Sequence, residues 1–465
     1  MKSKLTKVHW GILCLANCVL VGNYYNADMP AALGTTLQSW LGLSDDQFQW
    51  QLNALYLSTS LPNLIFPVLS GILIDRFGCG RVLLTFSGIL LLGQTLFALG
   101  LAQRQTPLLL AGRFLLGLGG ETVDVSVARV LTDWFMASDS VGIAMGLNFM
   151  AARIYSALND NVSPRLGVTL AAWVGLGATV LCVVSAGGLS FVNRDEGRMR
   201  AGVTPHKEKV VKGNEMISAD HEGSVDTVVA DVDAEQPDFI AIDSLSNRSG
   251  TVKTVTMPAK KTIWTEMKLL GFPFFLLCAA TVSLYGATSP FFNISTTFFS
   301  QKWGIDAQTA GFLLSLPGWI AVAGNPLTGA FLDRFGHRAT SLILSSMILF
   351  IGHALLQFSN LYPVYGMCFI GIAYAIFTTS VFSCVPYIVA EHQVATGFGI
   401  LAVAINLALF VFPLLVAQIR VASADFGNVE HMFMGLCGVG ALFSWRLCVM
   451  KPVLNQGFKA VALLG

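Results

Sequence analysis

The chain has 465 residues, 54% of them hydrophobic and only 12% charged, with a mean hydropathy of +0.65. A soluble core cannot absorb that much apolar surface, so lipid must be part of this protein's solvent. A net charge of +1 excludes the basic footprint that nucleic acid requires.

Six apolar runs, each of about 20 residues or more, precede residue 193. They cover 8–32, 50–74, 81–102, 107–134, 140–162 and 167–192. The first is too long for a removable signal peptide and holds Asn23, Asp28 and Pro30, which predicts a retained span. Residues 193–264 are rich in Asp, Glu, Lys, Ser and Val, with Phe239 and Trp264 their only aromatics. Such a segment cannot bury enough surface to fold alone, which predicts a largely disordered linker. A short amphipathic helix is expected near 260–268. Six further runs follow, at 270–299, 307–332, 339–358, 361–389, 395–419 and 429–450. The nine cysteines are scattered without paired spacing and read as small buried hydrophobes. The expected architecture is an all-α membrane protein of twelve transmembrane helices. One six-helix lobe covers 1–192, the linker 193–264, and a second six-helix lobe 265–465.

A repeated motif joins the second and third runs of each half. One copy is Gly71-Ile72-Leu73-Ile74-Asp75-Arg76-Phe77-Gly78, and the other is Gly329-Ala330-Phe331-Leu332-Asp333-Arg334-Phe335-Gly336. One copy of G-x-x-x-D-R-F-G is a weak signal. Two copies at matching places predict two halves of common design. Lys and Arg in short loops set the orientation. Lys2, Lys4, Lys7, Arg76, Arg81, Arg334, Arg338, Lys451 and Lys459 fall on one side, against Arg104, Arg165, Lys302 and Arg420 on the other. Both termini and the linker are therefore expected in the cytosol.

Charge inside a membrane span costs several kcal/mol, so each instance asks for a reason. The fourth run holds Arg113, Glu121, Asp124, Arg129 and Asp133; the fifth holds Arg153 and Asp160; the first holds Asp28. In the second half His353 is the group expected to stand alone within a run, with Glu391 and His392 at a run's end. That half supplies aromatic and amide groups instead: Tyr285, Asn293, Trp319, Asn325, Tyr374 and Asn406. At 1.5 Å per residue, Glu121 and Arg153 each lie about 20 Å from an end of their span, near the midplane. One acid and one base at matching depth suit a zwitterionic ligand. The alternative is a direct ion pair that locks two helices, which ranks second because such a pair is poor value beside apolar packing. Arg113, with Gly117 and Gly119, serves either close helix packing or ligand contact. Arg129 and Asp133, one turn apart, are expected to join Asp75 and Arg76 in a gate at the cytosolic end, with Asp333 and Arg334 as the second copy. Asp75 and Asp333 suit acceptance of hydrogen bonds from a helix N-terminus, which would hold that gate shut. Asp28, just before Pro30, is either a ligand at a helix break or a cap. No phosphate-binding loop, metal-ligand cluster or nucleophile–base arrangement is present in the sequence. That points to a carrier rather than an enzyme, with no cofactor and no metal.

Four stretches resemble the dipeptide-transporting branch of the major facilitator superfamily. They are Asn23-Tyr24-Tyr25-Asn26-Ala27-Asp28-Met29-Pro30-Ala31-Ala32-Leu33; Gly112-Arg113-Phe114 through Gly119-Gly120-Glu121; Ala152-Arg153-Ile154 with Ser156 and Asn159; and Glu391-His392-Gln393 with Thr396, Gly397, Gly399 and Asn406. The resemblance implies the major facilitator fold, a dipeptide substrate, Glu121 at the ligand amine and Arg153 at its carboxylate. Asp28, Asn159 and Asn406 follow as further substrate-binding residues. It also implies uniport without an obligatory proton, an endolysosomal membrane and, in animal members, a glycosylated single-span accessory subunit. The chain departs from the family pattern across Asp124–Arg129, where it carries extra charge. The expected function is transport of small zwitterions, foremost dipeptides, by alternating access. A proton-coupled carrier of amino acids or organic anions is the alternative, and a nutrient sensor that does not transport is a further one.

Overall fold

The computed structural model describes residues 5–200, 270–423 and 426–455. The helix expected at 260–268 and nearly all of the expected linker lie outside the described residues. The N-terminal half comprises α1 (Lys7–Ala27), α2 (Met29–Leu41), α3 (Asp45–Asn63), α4 (Phe66–Phe77), α5 (Cys79–Gln103), α6 (Thr106–Phe135), α7 (Val141–Leu166) and α8 (Val168–Arg200). The C-terminal half comprises α9 (Phe272–Trp303), α10 (Ala307–Phe335), α11 (Arg338–Phe358), α12 (Val364–Ile388), α13 (Val394–Ser423) and α14 (Gly427–Met450). With α1 and α2 taken as one broken span, and α3 and α4 as another, each lobe has six spans. Helix α8 runs through Arg200, so regular structure continues past the expected linker start at 193.

Nine described helices are long and apolar enough to cross a membrane, and α3 with α4, bent by 42°, makes a tenth. The other two of the twelve expected spans are the polar ones. Helix α6 carries five charged residues, and α1 carries asparagines and tyrosines in its second half.

The breaks have local causes. Between α3 and α4 the chain runs Pro62-Asn63-Leu64-Ile65-Phe66-Pro67, and the two prolines remove backbone donors from the helical ladder. At Asp28 the backbone leaves helical geometry, and Pro30 opens α2. The freed carbonyls at the end of α1 are satisfied from another helix. Arg113, 1% exposed, donates to the Asn26 and Ala27 oxygens at 2.8 and 2.7 Å. This assigns Arg113 to a structural role. In the other lobe, Asp306 caps α10 by accepting from the amides of Gln308 and Thr309, both at 3.0 Å. Its hydrogen bonds, foremost from the Thr309 hydroxyl, hold its carboxyl below the usual carboxylate range.

The lobes meet most closely at the end that carries the two D-R-F-G repeats, referred to below as the repeat end. Here α4 packs on α13 and α7 packs on α10. A β-carbon at Gly329 would lie 2.2 Å from the Gly142 carbonyl oxygen, and one at Gly71 would lie 2.4 Å from that of Ala395. Only glycine allows backbones this close.

One expectation is corrected here. His353 is not the sole ionisable group within the spans of the second half. Glu430, in the first turn of α14, is 1% exposed and places Oε2 2.8 Å from His353 Nδ1. The ring of His353 lies against Phe291 and Phe433, with centroids 5.1 Å away in each case. An acid at a helix start reads as a solvated residue in sequence, because its burial depends on the neighbouring helix α11.

Candidate functional site

A cavity of about 320 Å³ lies between the lobes, roughly midway along the spans. Its charged lining comes from the N-terminal lobe: Glu121 and Asp124 on α6, and Arg153 on α7. The C-terminal lobe contributes Tyr285 and Phe292 from α9, Asn325 from α10, Tyr374 and Thr378 from α12, and Asn406 from α13. Aromatic faces and a few convergent polar groups are the usual make-up of a small-molecule site.

Each charged group has separate partners. Glu121 Oε1 accepts from Asn63 Nδ2 at 3.4 Å and from Asn406 Nδ2 at 3.3 Å. Asn63 sits at the break between α3 and α4, so the kink presents this amide to α6. Arg153 donates to the Tyr374 hydroxyl, and its guanidinium carbon lies 5.0 Å from the Tyr374 ring centroid. Asp124 Oδ2 accepts from the Tyr24 hydroxyl at 3.0 Å and from Asn23 Nδ2 at 3.2 Å. Among the described residues no ion pair links Glu121 to Arg153. The locking pair that the sequence also allowed is therefore absent from this conformation.

Two residues expected at the ligand lie off the cavity wall. Asn159 is fully buried; it donates to Asp160 at 3.2 Å and accepts from Ser163 at 2.7 Å. Its capacity goes to packing within α7 and against Tyr25, which shares the Ser163 hydroxyl at 3.4 Å. Asp28 is exposed at the break between α1 and α2 and accepts from Ser156 on α7 at 2.9 Å.

At the repeat end, Asp75 Oδ2 accepts from the Thr396 amide at 2.8 Å and its hydroxyl at 2.7 Å. Asp75 Oδ1 lies 3.2 Å from Arg129, which also bonds Asp133 at 3.0 Å and the Glu391 carbonyl at 2.6 Å. In the second copy, Asp333 accepts from the amides of Gly142 and Ile143 at 2.7 and 2.6 Å. Arg76 and Arg334 are both exposed, and Arg334 lies over the Phe335 ring. The buried cation is Arg338 instead. It is 3% exposed, 3.6 Å from Asp333 and 3.8 Å from Asp139, and donates to the Tyr387 hydroxyl at 3.0 Å. That hydroxyl in turn donates to Asp139 at 3.0 Å.

Sequence reasoning missed Tyr24, Asn63, Asp139, Arg338, Tyr387 and Glu430. Tyr24 had a signal, since it lies one residue from Asn23 in a polar stretch of an apolar run. Arg338 and Arg334 look equivalent in sequence, but Arg334 ends α10 exposed while Arg338 opens α11 buried. Among the described residues, the hydrogen bonds that cross between lobes lie at the repeat end or at the cavity. This conformation is closed at the repeat end.

The comparisons agree with this geometry. The chain is similar to the lysosomal dipeptide transporter MFSD1 of Homo sapiens, 26% identical over 427 residues, covering 88% of this chain and 80% of that protein. The Danio rerio protein of that name is 26% identical over 414 residues, covering 89% and 81%. Solved structures of similar fold include a bacterial homologue of the iron transporter ferroportin in an outward-facing state. Its TM-score is 0.67 at 12% identity, covering 96% of this chain and 100% of that one. The transporter FucP in its outward conformation gives a TM-score of 0.63 at 13% identity, covering 94% and 98%. The model of the Major Facilitator Superfamily matches residues 13–413 and 276–460. Two six-span lobes, a polar cavity between them and matches along nearly the whole chain make this protein a member of the Major Facilitator Superfamily, a membrane transporter.

Proposed function

We propose that the protein carries small zwitterions, foremost dipeptides, as a uniporter working by alternating access. The observation that supports this most is that Glu121 and Arg153 line one cavity without pairing. Each is held instead by a neutral group of the opposite lobe, Asn406 or Tyr374. A ligand ammonium replaces the amides at Glu121, and a ligand carboxylate takes the guanidinium fork of Arg153. Both charges then sit in contacts that span the two lobes, so occupancy is coupled to lobe movement. The relatives named for lysosomal dipeptide transport support the substrate class and the lysosomal membrane. In the expected orientation the repeat end faces the cytosol, and closure there exposes the cavity to the lumen. A glycosylated single-span accessory subunit belongs to the same reading.

The test is uptake into liposomes that hold the purified protein. The ligands are alanyl-alanine, its N-acetylated and C-amidated forms, and free alanine. Uptake of the free dipeptide alone, unchanged by an imposed pH gradient, is expected. Equal uptake of both capped forms would overturn the zwitterion assignment. Uptake that follows the gradient would favour proton coupling over uniport.

A further inference from the structure

Helices α7 and α10 run antiparallel, and at the repeat end their backbones meet in a fixed register. A β-carbon at Gly329 would lie 2.2 Å from the Gly142 oxygen, and one at Gly146 would lie 2.3 Å from the Asn325 oxygen. Four residues forward along α7 thus match four residues back along α10. In the same register, Arg153 falls level with Gly318, beside the cavity, Asp160 with Gly311, and Arg165 with Asp306. The faces match as well as the levels. Eighteen residues make five turns at about 3.6 per turn, so Asp160 lies on the same face of α7 as Gly142, and Gly311 on the same face of α10 as Gly329. Gly318, seven residues before Asn325, keeps to that face within about 20°.

Toward the outer end, away from the repeats, the matched face of α10 stands open. A β-carbon at Gly311 or at Gly318 would meet nothing within 4 Å. Glycine inside a helix weakens it, so two unpacked glycines in line with a packed one ask for a partner. Asp160 and Arg165 on α7 and Asp306 at the start of α10 are exposed, and among the described residues Arg165 has no ion pair. The charges suit the helix ends. At the repeat end Asp333 of α10 rests on the first turn of α7, where free amides favour an acid. At the outer end α7 presents its carbonyl terminus, which disfavours an acid, and Arg165 in its last turn supplies the cation that Asp306 needs there. Both capping amides fall on Asp306 Oδ1, which leaves Oδ2, already taking the Thr309 hydroxyl at 2.7 Å, a further lone pair for an arginine.

We propose that the open outer face of α10 is the seat of the outer half of α7 in a second conformation, with Gly311 and Gly318 receiving the α7 backbone and Arg165 latching onto Asp306. The occupant is α7 itself for two reasons: the seat continues the α7–α10 interface already made at the repeat end, and the charges at its rim are complementary. Glycine at both positions lets the backbones approach as they do at Gly142 and Gly329. The latch holds the outer end shut while the repeat end is open, and its strength sets the balance between the two conformations. This inference rests on the alternating-access part of the reading above and not on which solute is carried.

The experiment has a part that needs no solute. The full chain carrying Asp160→Cys with Gly311→Cys is oxidised in liposomes with copper phenanthroline, and peptides are mapped by mass spectrometry. A disulfide between the two introduced cysteines is expected. None is expected for Asp160→Cys with Ala323→Cys, since Ala323 is exposed on another face of α10. Absence of the first bridge, or equal yield of both, would overturn the proposal whatever the substrate. The second part is alanyl-alanine uptake and binding. Gly311→Trp fits the open space, so it should bind the dipeptide and carry it at least about tenfold more slowly, while Ala323→Trp should carry it normally. Arg165→Glu should slow uptake, Arg165→Lys should restore most of it, and Arg165→Glu should add little to Asp306→Asn, which keeps the helix cap. Normal uptake by Gly311→Trp, or full additivity of the two charge variants, would overturn the latch. If the bridge forms and the wild type carries no dipeptide, the substrate reading fails and this inference stands.

Discussion

Asp75 and Asp333 perform the same task in opposite lobes, each placing its carboxylate on the first turn of a helix from the other lobe. Asp75 meets the Thr396 amide near the start of α13 at 2.8 Å, and Asp333 meets Gly142 and Ile143 near the start of α7 at 2.7 and 2.6 Å. Helix N-termini carry unpaired donors and partial positive charge, so a carboxylate there is stabilised twice over. Both contacts require the lobes to be together at the repeat end. They stabilise this conformation, and on the alternating-access proposal they are lost when that end opens.

Asp75→Asn and Asp333→Asn should therefore slow turnover more than they weaken binding. A hydrogen bond to a charged group contributes about 1.5–3 kcal/mol, and the amide keeps only part of it. Turnover in liposomes and equilibrium affinity in detergent separate the two effects. A large loss of affinity at unchanged turnover would argue that these residues act on the ligand.

The glycine contacts predict a steric block of the same closure. In Gly329→Val the first added carbon falls on the Gly142 carbonyl, at 2.2 Å. Neither backbone can yield cheaply, so the repeat end should stay ajar while each lobe folds normally. Monodisperse protein with uptake reduced by at least about tenfold is expected, equivalent to about 1.4 kcal/mol. Normal uptake would show that the lobes close elsewhere.

Arg153→Lys should transport poorly. Lysine is a point charge and cannot present a planar fork to a carboxylate. Loss of one partner from a desolvated charge pair costs about 2–5 kcal/mol, so uptake of a free dipeptide should nearly vanish in Arg153→Gln and in Glu121→Gln. The C-amidated dipeptide should lose little more in Arg153→Gln than it has already lost in the wild type. Steady-state uptake of the two ligands by the two proteins makes this check.

The buried pair of His353 and Glu430 lies outside the cavity lining and predicts an effect on stability. Glu430→Ala leaves the imidazole without its partner in an apolar setting, and breaking such a pair costs about 3–5 kcal/mol. Replacing both with apolar residues, as in His353→Phe with Glu430→Leu, should cost less. Thermal melting in detergent compares them, and equal losses in the single and double variants would show that the two residues are not coupled.

Hydropathy alone laid out the spans, because the cost of putting a residue in lipid is paid residue by residue and can be summed along the chain. The repeated D-R-F-G loops revealed two related halves, and the rarity of charge in lipid singled out Glu121, Asp124, Arg129 and Arg153. Partnership was not legible in the same way. Asp75 and Thr396 are 321 positions apart, and Glu121 and Asn406 are 285 apart. Nothing local to either residue encodes such a meeting. Asn63 reaches Glu121 only because the second span bends, and Arg338 at the start of α11 packs against Tyr387 of α12 while Arg334 at the end of α10 stays exposed. Glu430 stands at a helix start, and only its packing against His353 of α11 buries it. Composition decides which residues lie in lipid. The packing of two lobes, with backbones brought close at Gly71, Gly142 and Gly329, decides which of them touch.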